Sequence, residues 1–286
     1  MVEDKKGCLF LCPTPIGNLE DITLRVLRTL EQASLIAAED TRRTRKLLSH
    51  YNIKTPLVSY REHNRKKQEG FLLDKLTQGD DVALVSDAGM PGISDPGIEL
   101  VQAALERGLS VEVLPGPSAL LTGLLSSGYP PVPFVFLGFL PPKGKQRREA
   151  LEKIAGIEET LVLYEAPHRL IRTLEDLWEQ GFLEGAVCRE LTKKFAEVRR
   201  GSLQDHLDYF RSREVRGEFV LVLSAKEKDV GKQEAQEVLE PEEEVKILMG
   251  GGVSKKEAIF KVARRRGLPK REVYRRCHGV PSKGQK

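Results

Sequence analysis

With 286 residues, 40% of them apolar and 31% charged, the chain suits two domains or a bilobed body with a small appendage, and it can bury a sizeable core. No apolar stretch approaches membrane-spanning length, and Cys8, Cys12, Cys188 and Cys277 form neither a C-x-x-C pair nor a disulfide ladder, so a membrane-spanning helix, a cysteine-based metal site and a secreted disulfide scaffold are set aside. The formal net charge of +4 is uneven: residues 242–286 hold 13 Lys or Arg against 5 Asp or Glu, while the first 241 residues are slightly acidic, which points to polyanion contact at one end.

Residues 8–12 are a short apolar run read as the first strand, with Cys8 and Cys12 on one face as small apolar residues. Lys5 and Lys6 ahead of it have the look of a secretion signal, but the apolar run is too short, and a cytoplasmic location is expected. Residues 13–18 form a loop, and Asp21 or Thr23 can cap a helix carrying Leu24, Leu27 and Leu30 on one face. A second strand over 35–38 ends in Glu39-Asp40-Thr41-Arg42, and a helix through Leu47 and Leu48 leads to a strand near 57–59. Strands at 82–85 and 111–114 complete a β-α alternation that argues for a mainly parallel sheet covered on both sides.

The loop over 86–97 reads S-D-A-G-M-P-G-I-S-D-P-G and lies between the strand at 82–85 and a helical pattern from Ile98. Open α/β sheets bind ligands at such strand ends. Its glycines, Gly92 among them, let the backbone bend and approach a ligand closely. Asp87 and Asp95 would repel a phosphate and attract a cation, which favours the sulfonium of S-adenosylmethionine (SAM). Asp95 before Pro96 reads as an ordinary helix N-cap, leaving Asp87 as the ligand-facing acid. After the next strand, Pro115-Gly116-Pro117-Ser118-Ala119 opens a helix and can offer backbone N–H groups and the Ser118 hydroxyl to a ligand, or simply cap that helix. Neither G-x-G-x-x-G nor a Walker sequence is present, which disfavours an NAD enzyme or a P-loop ATPase.

Residues 129–133, Y-P-P-V-P, read as a linker into a second α/β lobe with strands at 134–137, 161–164, 186–188 and 219–223. A charged tether over 226–244 precedes a tail of two helices with a tight turn. Ser254-x-x-Glu257 is a capping-box pattern, Ala258, Ile259, Val262 and Ala263 share an apolar face, and Gly267 can end the first helix. Lys261, Arg264, Lys270 and Arg271 then suit nucleic acid. Arg42, Arg43 and Arg45 with Lys46, and Arg65-Lys66-Lys67, are further candidates for phosphate contact near the cleft. The expected division is 1–128, a first α/β lobe; 129–226, a second; 227–241, a linker; and 242–286, a basic helix-turn-helix-like tail.

Six ordered motifs carry a resemblance: T-P-I-G-N-L-E-D-I-T-L-R from Thr14, A-A-E-D-T-R from Ala37, the S-D-A-G-M-P-G-I-S-D-P-G loop, P-G-P-S-A from Pro115, Y-E-A-P-H-R from Tyr164 and R-E-L-T-K from Arg189. From about Gly7 to about Ser224 the chain resembles the ribosomal RNA small subunit methyltransferase I family, within the tetrapyrrole-methylase-like superfamily of SAM enzymes. The resemblance implies a two-lobed α/β fold with an interlobe cleft plus a small C-terminal helical domain, a homodimer, and 2′-O-methylation of a cytidine ribose in the decoding region of 16S rRNA, presented as naked rRNA or as the assembled small subunit. By the superfamily's pattern, Pro13, Asp87, Gly89, Met90, Ser118, Ala119, Tyr164 and Ala166 lie around SAM; no metal is implied. A ribose hydroxyl is a weak nucleophile, so a base or ordered water should take its proton. Asp40, Glu165, His168 and Lys193 are candidates at strand ends, with Glu165 and Asp40 ranked first. The competing readings are a tetrapyrrole methyltransferase and a ligand-sensing DNA-binding regulator; the basic tail and arginine clusters disfavour the first of these.

Overall fold

The computed structural model describes residues 6–224, 241–250, 253–266 and 269–277. Residues 1–226 and 227–286 fall into two compact units. In the first, β1 (Cys8–Leu11), β2 (Leu35–Ala38), β3 (Leu57–Ser59), β4 (Val82–Val85) and β5 (Ser110–Val113) form a parallel sheet in the order β3-β2-β4-β1-β5. β2 and β4 are continuous apolar runs because both faces of a parallel sheet are covered. Leu9, Leu11 and Leu84 point to one face with Leu72, Leu76 and Leu100; Phe10, Cys12, Ala83 and Val85 point to the other with Val26, Leu30 and Leu48. Each fully buried leucine contributes roughly 2 kcal/mol of transfer free energy. The connecting helices are α1 (Leu24–Gln32), α2 (Thr41–His50), α3 (Arg65–Thr77) and α4 (Ile98–Glu106).

Two expectations are corrected here. Thr23 does cap α1, accepting from the Val26 N–H; of the expected stripe Leu30 is buried and Leu27 half-buried, but Leu24 is exposed and Val26 fills the core instead. Asp95 does not cap α4. The N-cap is Gly97 at φ 155°, a left-handed conformation whose added Cβ would lie 2.9 Å from Leu84 Cδ2. Pro96 and Gly97 form one more bend of the loop before the helix begins, and that bend frees Asp95 to turn inward.

α5 (Ala119–Ser127) leaves the first sheet and packs on the second, which is built from β6 (Phe134–Phe139), β7 (Thr160–Glu165), β8 (Glu184–Arg189), β9 (Glu197–Ser202) and β10 (Phe219–Leu223) in the order β6-β7-β10-β8-β9. β6 and β7 are parallel and the other pairs antiparallel. α6 (Gly144–Ala155), α7 (Leu170–Glu179) and α8 (Leu203–Arg211) cover the opposite face of this sheet. Packing therefore changes lobes at α5, ahead of the proline-rich span at 129–133. Gly123 permits the close approach: a Cβ there would lie 2.7 Å from Val220 Cγ1.

The second unit contains α9 (Pro241–Gly250), α10 (Lys255–Arg266) and α11 (Lys270–Arg276), closed around Val245, Ala258, Ile259, Val262 and Val273. The expected two-helix tail thus gains a helix. Pro241 at the start and Glu242, Glu243 and Glu244 in the first turn suit a helix N-terminus, and the same charges gave 226–244 the look of a tether. Of the expected linker over 227–241, Pro241 begins α9, while residues 227–240 and the helix-ending Gly267 lie outside the described residues.

Candidate functional site

Because the first sheet is parallel, the loops after β1, β2, β4 and β5 leave from one edge. Thr14 and Gly89 join two of them: each N–H donates to the other's carbonyl, at 2.9 and 2.8 Å. Thr14 Oγ1 donates to the Ser86 carbonyl at 3.1 Å, and Ser86 Oγ donates to the Gly89 carbonyl at 3.2 Å. Gly89 sits between Ile16 and the Pro117 carbonyl, and Gly116 covers Pro13, whose ring would lie 2.8 Å from an added Cβ. Ser118 caps α5, accepting from the Leu121 N–H, and Ala119 begins that helix.

The second lobe closes on this edge. Ile16 is buried with Leu191, Val220 and Cys188. The Asn18 N–H donates to Thr192 Oγ1 at 3.1 Å, and Gly17 lies so near Leu191, Thr192 and Lys193 that a Cβ would meet all three within 3 Å. Tyr164 Oη accepts from the Leu120 N–H at 3.0 Å, its ring edge-on to Phe136 and Phe139. Pro13, Gly89, Ser118, Ala119 and Tyr164 are thereby brought together, Met90 is half-buried farther along the loop, and Ala166 follows β7 with its N–H donated to Glu165 Oε1. Gly92 makes no tight approach: its added Cβ would meet Ile98 N at an ordinary 3.6 Å, and its φ of 83° is what selects glycine. Glu190 and Thr192, at φ 50° and 64°, are non-glycine residues in left-handed conformations at the lobe junction. Strain of this kind costs of order 1–3 kcal/mol and persists where surrounding contacts over-determine it. Here Glu190 is tied to the Lys193 ammonium and to the Glu218 N–H, both at 2.9 Å. Motif spacing draws attention to R-E-L-T-K but carries no sign of its backbone geometry.

Asp87 is not the lone acid expected. It accepts from the Asp40 N–H at 3.0 Å and pairs with Arg43 at 3.2 Å. The unneutralised charge belongs to residues that sequence reasoning passed over. Burial, then the Asp95 and Asp87 carboxylates, push the Glu39 carboxyl up, and Glu39 Oε2 is buried without a hydrogen-bond partner. Burial and Asp87 likewise push Asp95 up, against a hydrogen bond from Ser86. Glu39 adjoins the more conspicuous Asp40–Arg42 pair in sequence, which is why it escaped notice. Three carboxylates crowd the strand ends with one adjacent arginine, so a cationic group is favoured there and a phosphate is not.

Both first-ranked proton acceptors are engaged by neighbouring groups. Asp40 is the N-cap of α2: its carboxylate accepts from the Arg42 side chain and N–H and faces Arg61, which together hold it well below the usual carboxylate range. A carboxylate so stabilised is a weak base. Glu165 is buried, with Oε2 accepting from Thr173 Oγ1 and Oε1 beside Arg169 Nε at 3.1 Å, and it has no access to solvent. His168 is exposed on a 3-10 turn. Lys193 is a cation held in place: partial burial opposes its charge, but hydrogen bonds to Glu190 and Glu218 keep its pKa above the ordinary value.

Beside these loops a cavity of about 210 Å³ is lined by Thr14, Pro15, Leu19, Arg43, Lys46 and Ser86, among others. Arg43 reaches it from α2 already paired with Asp87, while on the same helix Arg42 is paired with Asp40 and Arg45 is exposed. Arg65 is paired with Glu99. In the C-terminal unit Lys261 and Lys270 are exposed, and the side chains of Arg264 and Arg271 lie outside what is described.

Comparison with known proteins agrees with this architecture. The family model for Tetrapyrrole (Corrin/Porphyrin) Methylases matches residues 9–206. A ribosomal RNA small subunit methyltransferase I from Halalkalibacterium halodurans is 48% identical over 277 residues, 96% of this chain and 96% of that one. A protein of the same name from Thermotoga maritima is 47% identical over 222 residues, 100% of its own length but 77% of this chain. Among solved structures, uroporphyrin-III C-methyl transferase from Thermus thermophilus, complexed with S-adenyl homocysteine, shares the fold with a TM-score of 0.57 at 20% identity, over 76% of this chain and 97% of that one. The chain belongs to the ribosomal RNA small subunit methyltransferase I family of the tetrapyrrole methylases.

Proposed function

We propose that this protein transfers the methyl group of SAM to the ribose 2′-hydroxyl of a cytidine in the decoding region of 16S rRNA. The observation that carries the cofactor assignment is the crowding of Glu39, Asp87 and Asp95 at the strand ends beside a glycine-bent loop. That donor set fits a sulfonium and disfavours a dinucleotide phosphate. SAM supplies a methyl already activated by its positive sulfur. The chain's own work is then to position and to dehydrate. The bridge between Thr14 and Gly89 and the contact of Pro13 with Gly116 hold the loops in one register, while Tyr164, bound to the Leu120 N–H, closes the cleft from the second lobe. Met90, Gly92 and Ala166 complete the proposed cofactor surface.

The acceptor nucleotide is assigned to the cavity between the loop after β1 and α2, where Arg43 and Lys46 can meet its phosphates. Arg42 and Arg45 extend that basic surface, Lys261 and Lys270 supply a second one, and Arg264 and Arg271 are proposed RNA contacts on the strength of the sequence. The substrate is small-subunit rRNA, naked or assembled. With Asp40 and Glu165 engaged elsewhere, proton removal by ordered water fits the site better than either carboxylate. Leu121 and Leu125 on α5 and Leu137 and Phe139 on the outer strand β6 expose large apolar side chains, which supports a homodimer that covers such surface. Among the described residues no helix is long and apolar enough to cross a membrane, and the reading includes a cytoplasmic location.

Thermal unfolding with and without ligand tests the cofactor assignment. SAM at a hundredfold excess over its Kd should stabilise the fold by about 2.7 kcal/mol, with NAD and GTP inert. Stabilisation by NAD or GTP without any by SAM contradicts it.

A further inference from the structure

Two large aromatic side chains of the C-terminal unit are exposed over about half of their surface. Phe260 on α10 is 51% exposed and Tyr274 on α11 is 54% exposed. Helical phase accounts for both: Phe260 falls one position past the buried Ile259, and Tyr274 one past the buried Val273, so each ring turns away from the small core. Lys270 links them. Its Nζ stands 5.5 Å from the centroid of the Phe260 ring, within cation–π range across the junction of the two helices. It also precedes Tyr274 by four residues and therefore shares its face of α11.

A single exposed apolar residue is ordinary surface. Two exposed rings, one of them within cation–π range of an ammonium, in a segment with 13 basic residues against 5 acidic ones, match the chemistry that holds unpaired nucleotides: bases stack on the rings and phosphates meet the cation. A duplex offers no free base face and would use the charges alone.

We propose that Phe260, Lys270 and Tyr274 form a stacking platform for unpaired nucleotides of an RNA strand. The proposal rests on the reading that the basic C-terminal unit contacts RNA, and it adds that the contact is with single-stranded segments and is carried partly by stacking. The test uses the full-length chain with a short unstructured oligoribonucleotide and a duplex of the same sequence. Phe260→Leu and Tyr274→Leu keep apolar bulk and remove the π face. Each should weaken single-strand binding by roughly tenfold, the scale of one lost base stack, and leave duplex binding within about twofold. Neither should change the slope of log affinity against log salt, whereas Lys270→Gln should reduce it by about one.

Charge reversal at Lys270 and at Lys256, which is exposed on α10, by Lys256→Glu with Lys270→Glu separates the two layers. If it leaves both affinities unchanged, the unit does not touch RNA, and the underlying reading and the proposal fall together. If it weakens binding while the leucine variants do not, the stacking platform alone is overturned. A lower melting temperature in the leucine variants with unchanged RNA affinity assigns the rings to protein packing and likewise overturns it.

Discussion

Glu39 and Asp95 carry more charge than their surroundings stabilise, and that imbalance has consequences in both ligand-free and ligand-bound protein. Their folded-state pKa values lie above the ordinary carboxylate values. Such groups contribute stability below the unfolded pKa and lose it as pH rises through the folded pKa, so at a pH above both folded values the two carboxylates repel. Glu39→Gln and Asp95→Asn should therefore raise the melting temperature of the ligand-free protein at that pH, while each weakens SAM by roughly tenfold through loss of one nearby charge. Lower melting temperatures with unchanged SAM affinity would place the sulfonium elsewhere. Asp40→Asn is the complementary case. Asn retains the cap of α2, so methyl transfer should stay within about tenfold of the parent, whereas removing a general base costs roughly a hundredfold or more. Glu165→Gln should lower stability by on the order of 2 kcal/mol in denaturant titration, because Arg169 would lose a buried partner but still reaches solvent. At this scale the sequence was informative about which loops matter and poor about individual acids. Asp87 and Asp40 stood out by their motifs, yet each is satisfied by an arginine and a backbone N–H, and only packing leaves Glu39 and Asp95 without an ion pair of their own among the described residues.

The elements show where periodicity succeeds. β2 and β4 are legible as continuous apolar runs because helices cover both faces of a parallel sheet. β9, E-V-R-R-G-S, is not, because it is an outer strand paired only with β8 and carries Arg199 and Arg200 on its half-exposed length. α9 hides its helix behind a run of glutamates for the reason given above. α5 is legible as a helix, but its allegiance to the second sheet depends on Gly123 meeting Val220, a contact across nearly a hundred residues of chain. Gly123→Val should cost about 1–3 kcal/mol in denaturant titration, as overpacking does, by forcing α5 off β10. α8 supplies a pH signature. His206 Nε2–H donates to the Gly185 carbonyl at 3.0 Å, its other ring nitrogen is buried without a partner, and burial pushes its pKa down. The unfolded chain then binds the proton more readily, so stability falls as pH drops below about 6.5. His206→Leu should flatten that part of the stability–pH curve; an unchanged slope would assign it to other groups.

At the scale of the whole molecule, a two-lobed body holds the proposed chemistry and a basic helical unit the proposed affinity. The Thermotoga maritima relative aligns over its full length while leaving about a quarter of this chain unmatched, which is consistent with a catalytic body that does not require every segment present here. RNA binding by the full chain should weaken steeply with salt, with a log–log slope near −3 if about four phosphates are neutralised on a single strand. A flat response would remove the electrostatic account of both arginine-rich α2 and the C-terminal unit. The central claim, that the acid-crowded strand ends hold SAM for transfer to rRNA ribose, is tested most directly by incubating the protein with methyl-labelled SAM and small ribosomal subunits, followed by mapping of the labelled nucleotide. The account predicts label on one 2′-oxygen, that of a cytidine in the decoding region of 16S rRNA. Label on a base, or no transfer to any ribosomal RNA by protein that binds SAM, would contradict it.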